Sequence, residues 1–308
     1  MKPNEWPINA IFIAAPRELS TKRFTQIVKH YLPKADIVLG IAREEYVDGF
    51  EGQVQFRMLR KSTVQPIIDK VASSNSLHKI YPFVYAQHEL ENIVKHLVPT
   101  QRLLLVNGSW RYAFHNLPAY KILKKNQVPI KFISPFADEI EAKQYELAYT
   151  PNVKLPDPGQ LLSEKEMFAA AGLAATQSFD YSFQTGTALG VKREKGYEFI
   201  ATTFNKVVPY QTHALHYGNS REKYLSPPHD TNHYDTIHAE MLLLVEAARG
   251  DYSLEGATLF INLLPCPNCA RTLSQSNIAE VVYNNDHSDG YAIKLLEQSG
   301  KKVRRLVQ

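Results

Sequence analysis

Two short segments supply the side chains that a catalytic metal site needs. His238 stands two residues before Glu240, and Cys266 and Cys269 follow in the run Pro265-Cys266-Pro267-Asn268-Cys269. Zinc takes four tetrahedral ligands, and in a catalytic site three are protein side chains while the fourth is water. We expect His238, Cys266 and Cys269 to hold zinc (Zn2+). Glu240 is too close to His238 along the chain to share the metal, and we expect it to handle the protons of the water.

The cysteine count bears on two alternatives. The chain has only 2 cysteines, and both lie in this motif. A C-x-x-C pair also serves thioredoxin-like redox chemistry, but such a pair needs neither His238 nor Glu240 upstream. A structural zinc site normally takes four protein ligands, and the sequence offers no evident fourth. The pattern therefore favours a catalytic zinc over a redox pair or a structural metal.

Two helices and a strand must position these side chains. Apolar periodicity predicts a helix over 236–249 that Gly250 ends, with His238 and Glu240 in its first turn. A buried strand is predicted over 257–263, and a helix over 267–275 follows the cysteine motif. Two helix N-termini would then face one metal, where their positive dipole ends favour thiolates and a developing anion.

A proline-rich segment divides the chain. Residues 150–159 contain three prolines and a glycine, so they cannot form a regular helix. We predict a first domain over 1–150, a linker over 151–162 and a second domain over 163–308. At the start of the second domain, Ser163 and Glu166 have the spacing of a helix capping box.

In the first half, short β-rich runs alternate with helical stretches. This alternation predicts an α/β domain with a Rossmann-like parallel sheet. Such sheets bind ligands at the carboxyl ends of their strands, and two of these ends, 14–17 and 107–111, place small residues and an arginine after a buried strand. Arg17 and Arg111 are either solvated residues of ordinary turns or part of a nucleotide or effector site. The chain has neither a Walker P-loop nor a G-x-G-x-x-G motif.

The second half resembles the cytidine and deoxycytidylate deaminase superfamily, whose signature is H-x-E followed by P-C-x-x-C. Beyond the two zinc segments, the resemblance rests on 204–209, 276–283 and 294–300, and it looks most like the deoxycytidylate branch. It implies a cytidine-deaminase-like three-layer α/β/α domain over 163–308. It also implies that Asn205 hydrogen-bonds the substrate and that the backbone N–H of Ala239 meets the base carbonyl.

These features predict a zinc-dependent hydrolase that deaminates a cytosine nucleotide, with deoxycytidylate to deoxyuridylate as the reaction of the branch it resembles. Glu240 would take a proton from the water and pass it to the ring nitrogen and then to the departing ammonia. Two alternatives stay open. One is a deaminase of nucleic acid, acting on tRNA adenosine or single-stranded cytosine. The other is a ligand-sensing regulatory protein that carries a deaminase domain.

The charge balance separates a small substrate from a nucleic acid. Nucleic-acid deaminases need a basic track with stacking aromatic side chains. Here 35 Lys and Arg residues are nearly matched by 31 Asp and Glu residues, which gives a net charge of +4. We therefore expect a small-molecule nucleotide as the substrate and no nucleic-acid partner.

The composition is that of an ordinary globular protein, with 44% hydrophobic and 21% charged residues. No apolar run approaches the roughly 18 residues of a membrane span, so we expect no membrane partner. The polar start of the chain, 1–6, is unlike a secretory signal, and two unpaired metal-type cysteines suit a reducing compartment. We expect a cytoplasmic protein that forms a homo-oligomer.

A histidine-rich segment, 211–234, lies between Asn205 and His238. It contains four histidines: His213, His216, His229 and His233. Histidines could hold a second zinc there. We favour a solvated or substrate-covering loop, because such loops commonly carry polar residues on the surface.

Overall fold

The computed structural model describes residues 2–227, 230, 232–286 and 290–306. The chain folds as two compact units. The first comprises Met1–Tyr149 and Thr212–Asp235, and the second comprises Thr150–Gln211 and Thr236–Gln308. The sequence predicts a continuous second domain over 163–308. The structure differs there, because the segment 212–235, which we call the excursion, packs within the first unit.

The first unit is built on a five-stranded parallel sheet with the strand order β3-β2-β1-β4-β5. Its strands are β1 (Ile11–Ala14), β2 (Ile37–Ala42), β3 (Ile80–Tyr85), β4 (Arg102–Val106) and β5 (Ile130–Ile133). Strands β1 and β2 are buried along their whole length, as expected of parallel strands covered on both faces. The order reverses between β1 and β4, which makes their carboxyl ends the topological switch point. The prediction of a Rossmann-like parallel sheet is confirmed.

Four helices lie in the connections between these strands, and a fifth follows β5. They are α1 (Thr21–Tyr31), α2 (Lys61–Ala72), α3 (Leu90–Val94), α4 (Pro118–Lys125) and α5 (Glu139–Tyr149). In α1, Ser20 caps the N-terminus by accepting a hydrogen bond from the Arg23 N–H. The helix buries Phe24, Ile27 and Val28, at helical spacing, in the same core cluster as β1 and β2.

The excursion carries two short helices, α7 (His213–Tyr217) and α8 (Ser220–Lys223). Two of its contacts within the first unit are hydrogen bonds that involve a backbone group. Asn107 Nδ2 donates to the Leu215 carbonyl at 3.0 Å, and the Phe114 N–H donates to Glu222 Oε1 at 3.1 Å. Buried backbone groups need such partners, so these bonds hold the excursion to the end of β4 and the residues after it.

The second unit is built on a six-stranded mixed sheet with the order β13-β12-β11-β7-β8-β6. Its strands are β6 (Leu161–Leu162), β7 (Gly186–Arg193), β8 (Gly196–Phe204), β11 (Thr258–Leu263), β12 (Glu280–Asn285) and β13 (Lys302–Arg305), and a separate ladder joins β9 (Lys206–Val207) to β10 (Thr236–Ile237). Strands β11, β12 and β13 are parallel, whereas β7 and β8 form an antiparallel hairpin. Two residues of the predicted linker thus form β6, which pairs with β8 at the edge of the sheet.

Side chains of the second sheet enter two separate cores. Leu259 and Ile261 belong to one cluster, while Phe260 between them belongs to the other. Successive residues of a strand point to opposite faces, so the sheet is covered on both sides. The helices are α6 (Glu164–Ala175), α9 (Ala239–Ala248), α10 (Pro267–Ser274) and α11 (Tyr291–Gln298). The three-layer α/β/α arrangement is confirmed, and none of the helices in the described ranges is long and apolar enough to cross a membrane.

Two predictions about helix starts have different outcomes. The Ser163 and Glu166 capping box at the start of α6 is confirmed, since each side chain accepts a hydrogen bond from the other residue's backbone N–H. The predicted start of the next helix at Thr236 is wrong. Thr236 and Ile237 pair with β9 in an extended ladder, and His238 is still extended, with φ −65° and ψ 151°, so α9 begins at Ala239.

Candidate metal centre and active site

Two helix starts bring the predicted metal ligands together. His238 is the N-cap residue of α9, and Cys266 is the N-cap residue of α10, which Pro267 opens at its first position. Cys269 lies one turn into α10 and is buried. Proline is favoured at the first helical position because its missing N–H has no partner there in any helix. The structure therefore corrects one detail, since His238 precedes the helix and only Glu240 lies in its first turn.

The three ligand side chains have the spacing of a tetrahedral metal site. His238 Nδ1 lies 3.5 Å from Cys266 Sγ and 3.3 Å from Cys269 Sγ, and all the ligand atoms lie within 4.8 Å of one another. Zinc–sulfur bonds of about 2.3 Å and a zinc–nitrogen bond of about 2.0 Å place N and S about 3.5 Å apart in a tetrahedron. The side chains present thus fit a zinc ion without rearrangement.

The electrostatics of the two thiols also suit a cation. Hydrogen bonds with Cys269 and with His238 lower the pKa of Cys266 to about 4, although burial opposes this. The same contact with Cys266, together with burial, raises the pKa of Cys269. The contact between the two sulfur atoms thus shifts the two pKa values in opposite directions, and a bound metal would require both thiols to lose their protons.

Glu240 is positioned beside this cluster but outside it. Its side chain is 3% exposed, and burial raises the pKa of its carboxyl, while the charge of His238 opposes this. Burial lowers the pKa of His238, but hydrogen bonding to Cys266 and the charge of Glu240 outweigh it and raise that pKa. A buried carboxyl whose pKa is shifted toward neutrality is suited to accept and return a proton.

A buried chain of hydroxyl groups fixes the start of α9. Thr203 Oγ1 donates to the Ala239 carbonyl at 2.7 Å and lies 2.7 Å from Thr187 Oγ1. Thr187, Thr203 and Ala239 are all buried. Because Ala239 stands between His238 and Glu240, this contact holds both functional side chains against strands β7 and β8.

Asn205, the predicted substrate-binding residue, is engaged within its own unit. Its Oδ1 accepts the Thr185 N–H at 2.8 Å, and its Nδ2 donates to the Phe183 carbonyl at 2.8 Å and to Asp180 Oδ2 at 3.3 Å. The side chain therefore orders the loop before β7, and one lone pair of Oδ1 is left for a further donor. Substrate binding by Asn205 and by the Ala239 N–H stays a prediction.

Asp180 is a functional candidate that the sequence reasoning missed. Its Oδ1 accepts the N–H groups of Ser182 and Phe183, and its Oδ2 accepts from Asn205 and from the Thr236 hydroxyl at 3.3 Å. Its charge also contributes to raising the pKa of His238. An Asp side chain that accepts the N–H two residues later forms an Asx turn. Asp in the run Asp180-Tyr181-Ser182 is typical of such a turn, and this pattern could have indicated that Asp180 orders the loop.

The structure gives the histidine-rich segment other partners. His216 Nδ1 lies 2.8 Å from Ser134 Oγ, and His233 Nδ1 lies 2.6 Å from Asp230 Oδ2. Within the residues that the structure describes, the His238 cluster is the one group of three metal-ligand side chains. His229 lies outside the described residues. A second zinc therefore finds no support in the described part of the excursion.

This geometry can be compared with known proteins. Residues 163–285 match the family described as the cytidine and deoxycytidylate deaminase zinc-binding region. The resemblance of the second half to these deaminases is confirmed by this match and by relatives named deoxycytidylate deaminase. The matched range contains the metal cluster, Glu240, Asn205 and the whole excursion, and it does not reach into the residues before 163.

Individual relatives match shorter stretches. The deoxycytidylate deaminase of Enterobacteria phage T2 is 35% identical over 79 residues, which are 24% of this chain and 42% of that protein. The tRNA-specific adenosine deaminase of Bacillus subtilis (strain 168) is 43% identical over 56 residues, 18% of this chain and 35% of that protein. This chain thus spans less than half of either relative. The dCMP deaminase structure from cyanophage S-TIM5 aligns with a TM-score of 0.32 and 21% identity, over 46% of this chain and 95% of that one.

Proposed function

We propose that this protein is a zinc-dependent hydrolase that deaminates a cytosine nucleotide, converting deoxycytidylate to deoxyuridylate. The observation that carries the proposal is the cluster of His238, Cys266 and Cys269 at metal-ligand distances with the buried carboxyl of Glu240 beside it. The relatives named deoxycytidylate deaminase support the substrate class. Zinc held by the cluster would supply a water activated for attack near neutral pH.

The protein's own residues divide the remaining work. Glu240 takes one proton from the attacking water and gives it to the ring nitrogen of the base. It then takes the second proton from the hydroxyl group added to the ring and gives it to the departing amino group. One C–N bond breaks, one C–O bond forms, and ammonia leaves. The dipoles of α9 and α10 favour negative charge at the cluster, because both helices start there. The Ala239 N–H and Asn205 bind the base and sugar in this proposal.

The proposal is tested by replacing Glu240 while keeping its volume. Glu240→Gln should retain the fold and the zinc but reduce ammonia release from deoxycytidylate by at least about 100-fold, since general acid–base catalysis commonly contributes 10² to 10⁴. Glu255→Gln, at an exposed position, is the matched control and should keep wild-type turnover. Turnover of the Glu240 variant within about tenfold of wild type, or under about 1.4 kcal/mol of lost stabilisation, would refute the role.

Metal content is a separate test of the cluster. We expect one zinc per chain in the purified protein and loss of that zinc in Cys266→Ala and in Cys269→Ala. Elemental analysis decides between the outcomes. Wild-type zinc content in both variants would show that the metal lies elsewhere.

The match to a tRNA-specific adenosine deaminase favours a second candidate, deamination of adenosine in RNA. A substrate panel separates the two. Ammonia release from deoxycytidylate and not from adenosine-containing oligonucleotides would support the first proposal, and the reverse pattern would support the second. The same panel should include cytidylate and the free nucleosides, because ribose and phosphate preference bear on the substrate class.

We also propose that the protein forms a homo-oligomer through α9. This helix buries only Ala239, Glu240 and Leu243, although most of its residues are apolar. Val245 is 42% exposed, and an apolar helix that is not covered in one chain is a common contact surface. Val245→Glu should lower the mass measured by light scattering. A wild-type protein with the mass of a monomer would overturn the proposal.

A further inference from the structure

The first unit contains a buried cation at its topological switch point. Arg17 follows β1 by three residues, and its side chain is 1% exposed. Its backbone N–H donates to Ser109 Oγ at 3.0 Å, and its Nη2 donates to the Gln55 carbonyl. The guanidinium lies 5.6 Å from the ring centre of Phe56 and 5.9 Å from that of Tyr145. Arg17 is therefore not the solvated turn residue that one interpretation of the sequence predicts.

This cation has no ionic partner in the described part of the chain. None of the carboxylates there lies within 4.0 Å of the guanidinium, and Nη1 has no hydrogen-bond acceptor. The adjacent Glu18 does not pair with it. Arginine stays protonated in proteins, so Arg17 cannot relieve the cost of burial by losing its charge. Burying a charge is costly unless the charge is both paired and hydrogen-bonded. Arg17 has the hydrogen bond to Gln55 but no ionic partner among the described residues, so an anion would complete the site.

The surrounding backbone is shaped to admit the guanidinium. Gly108, directly after β4, has a φ of +74°, and a Cβ atom there would lie 2.9 Å from Arg17 Nη1. Only glycine combines this left-handed backbone with so close an approach. Asn107, just before it, is buried, and its Oδ1 has no hydrogen-bond donor within the described ranges. The indole Nε1 of the half-buried Trp110, two residues after Gly108, has no acceptor there. Unsatisfied polar groups thus collect at the ends of two neighbouring strands.

A second arginine extends the positive charge toward the surface. The ring of Phe56 stacks on that of Phe50 with centres 4.1 Å apart, and the guanidinium of Arg111 lies 5.6 Å from the Phe50 ring centre. Arg111 is exposed. A stacked aromatic pair therefore carries a buried arginine on one ring and a solvent-facing arginine on the other. This spacing suits a ligand that carries more than one negative charge.

We propose that the carboxyl ends of β1 and β4 form a second ligand site, which binds the oxyanion of a small polyanionic molecule through Arg17. Phosphoryl and carboxylate groups both match the two N–H donors of a guanidinium edge. The position agrees with the general rule that open α/β sheets bind ligands at the strand-order reversal. The site is built only from residues of the first unit and is independent of the deaminase chemistry proposed above.

Trp110 provides a local reporter of binding. The chain has 2 tryptophans, so Trp6→Phe leaves Trp110 as the single fluorophore. In this background, titration with pyrophosphate and with citrate should give a saturable change of Trp110 emission for at least one of them, and the responding anion identifies the group that is bound. Sodium chloride at matched ionic strength should give no saturable change. The absence of a saturable response to both anions would overturn the proposal.

Replacing Arg17 distinguishes a ligand anchor from a structural residue. Arg17→Met should weaken the binding of the responding anion at least tenfold, and the same anion should no longer raise the melting temperature. The ligand-free variant should melt at or above the wild-type temperature, because an apolar side chain replaces an uncompensated charge. Arg111→Met should weaken binding less. Equal affinity in Arg17→Met, or a clear fall in its ligand-free melting temperature, would overturn the proposal. Arg17→Lys keeps the charge but not the planar fork, and the same tenfold loss is expected of it.

Discussion

The hydroxyl of Thr203 is the group whose removal best tests how the second unit holds helix α9. Thr203→Val keeps the shape of the side chain and removes only the polar atom. The hydroxyl bonds Ala239 O and Thr187 Oγ1 at 2.7 Å each, and all three residues are buried. The variant therefore leaves one buried hydroxyl without its partner and one carbonyl with fewer bonds than it can accept.

The magnitude follows from these two groups. A buried polar group that loses its partner costs about 1–3 kcal/mol. The Ala239 carbonyl has a second lone pair for its helical bond, so its loss is smaller than that of the Thr187 hydroxyl. We expect Thr203→Val to lower the free energy of unfolding by about 2 kcal/mol, measured by urea denaturation. Turnover should fall as well, because Ala239 lies between the proposed metal ligand His238 and Glu240.

Thr202→Val is the matched control, since it makes the same chemical change one residue earlier in β8, at a half-buried position on the opposite face. It should change the free energy of unfolding by no more than about 0.5 kcal/mol. The double variant Thr187→Val with Thr203→Val should lose less than the sum of the two single losses, because removing both hydroxyls leaves neither one stranded. Equal stabilities of Thr203→Val and Thr202→Val, or strict additivity in the double variant, would refute the reasoning.

Three further perturbations test the packing and the charges. Gly186→Ala should destabilise the second unit by about 1–3 kcal/mol, because a Cβ there would meet backbone atoms of Ala171 and Ala175 in α6. Gly172→Ala, at an open position of α6, should stabilise the unit by about 0.5–1 kcal/mol. Thermal melts of the two variants should therefore shift in opposite directions. The hydrogen bond from Arg304 holds the pKa of Glu164 below its usual value. The loss of unfolding free energy in Arg304→Met should therefore be largest near pH 7 and shrink as the pH falls below about 4. A loss that does not depend on pH would contradict this. Burial raises the pKa of Glu222 from its ordinary value of 4.5 to about 7, so the stability of the first unit should fall as the pH rises from about 4.5 to about 7 and level off above that; Glu222→Gln should flatten this dependence in urea denaturation between pH 5 and 8.

The sequence predicted best the features that local spacing determines. His238 and Glu240 are two residues apart, and Cys266 and Cys269 are three residues apart, so each pair is placed by a single helix start. The capping box at Ser163 is equally local, and the structure confirms it. The alternation of short apolar runs with helical stretches predicted the five-stranded sheet for the same reason, since each run is a strand whose burial follows from its own residues.

Features that depend on distant residues were not predictable in this way. Asp180 acquires its importance from Asn205 and Thr236, which the fold brings to it across two strands. The burial of Arg17 depends on Gly108 and Phe56, neither of which is near it in sequence. The start of α9 was placed too early because the helical apolar pattern runs back through Ile237, whereas pairing with β9 holds Thr236 and Ile237 extended.

The same β9–β10 ladder explains how a long excursion can interrupt the second unit without disturbing the candidate site. Asn205 directly precedes β9, and His238 directly follows β10. The ladder pairs Val207 with Thr236 and Lys206 with Ile237, so the two ends of the connection that contains the excursion are joined immediately beside His238. Loop-closure entropy grows only with the logarithm of loop length, so lengthening the connection costs little once those pairs are formed. The excursion is thus free to carry contacts of its own in the first unit, while the positions of Asn205 and His238 are set by the ladder.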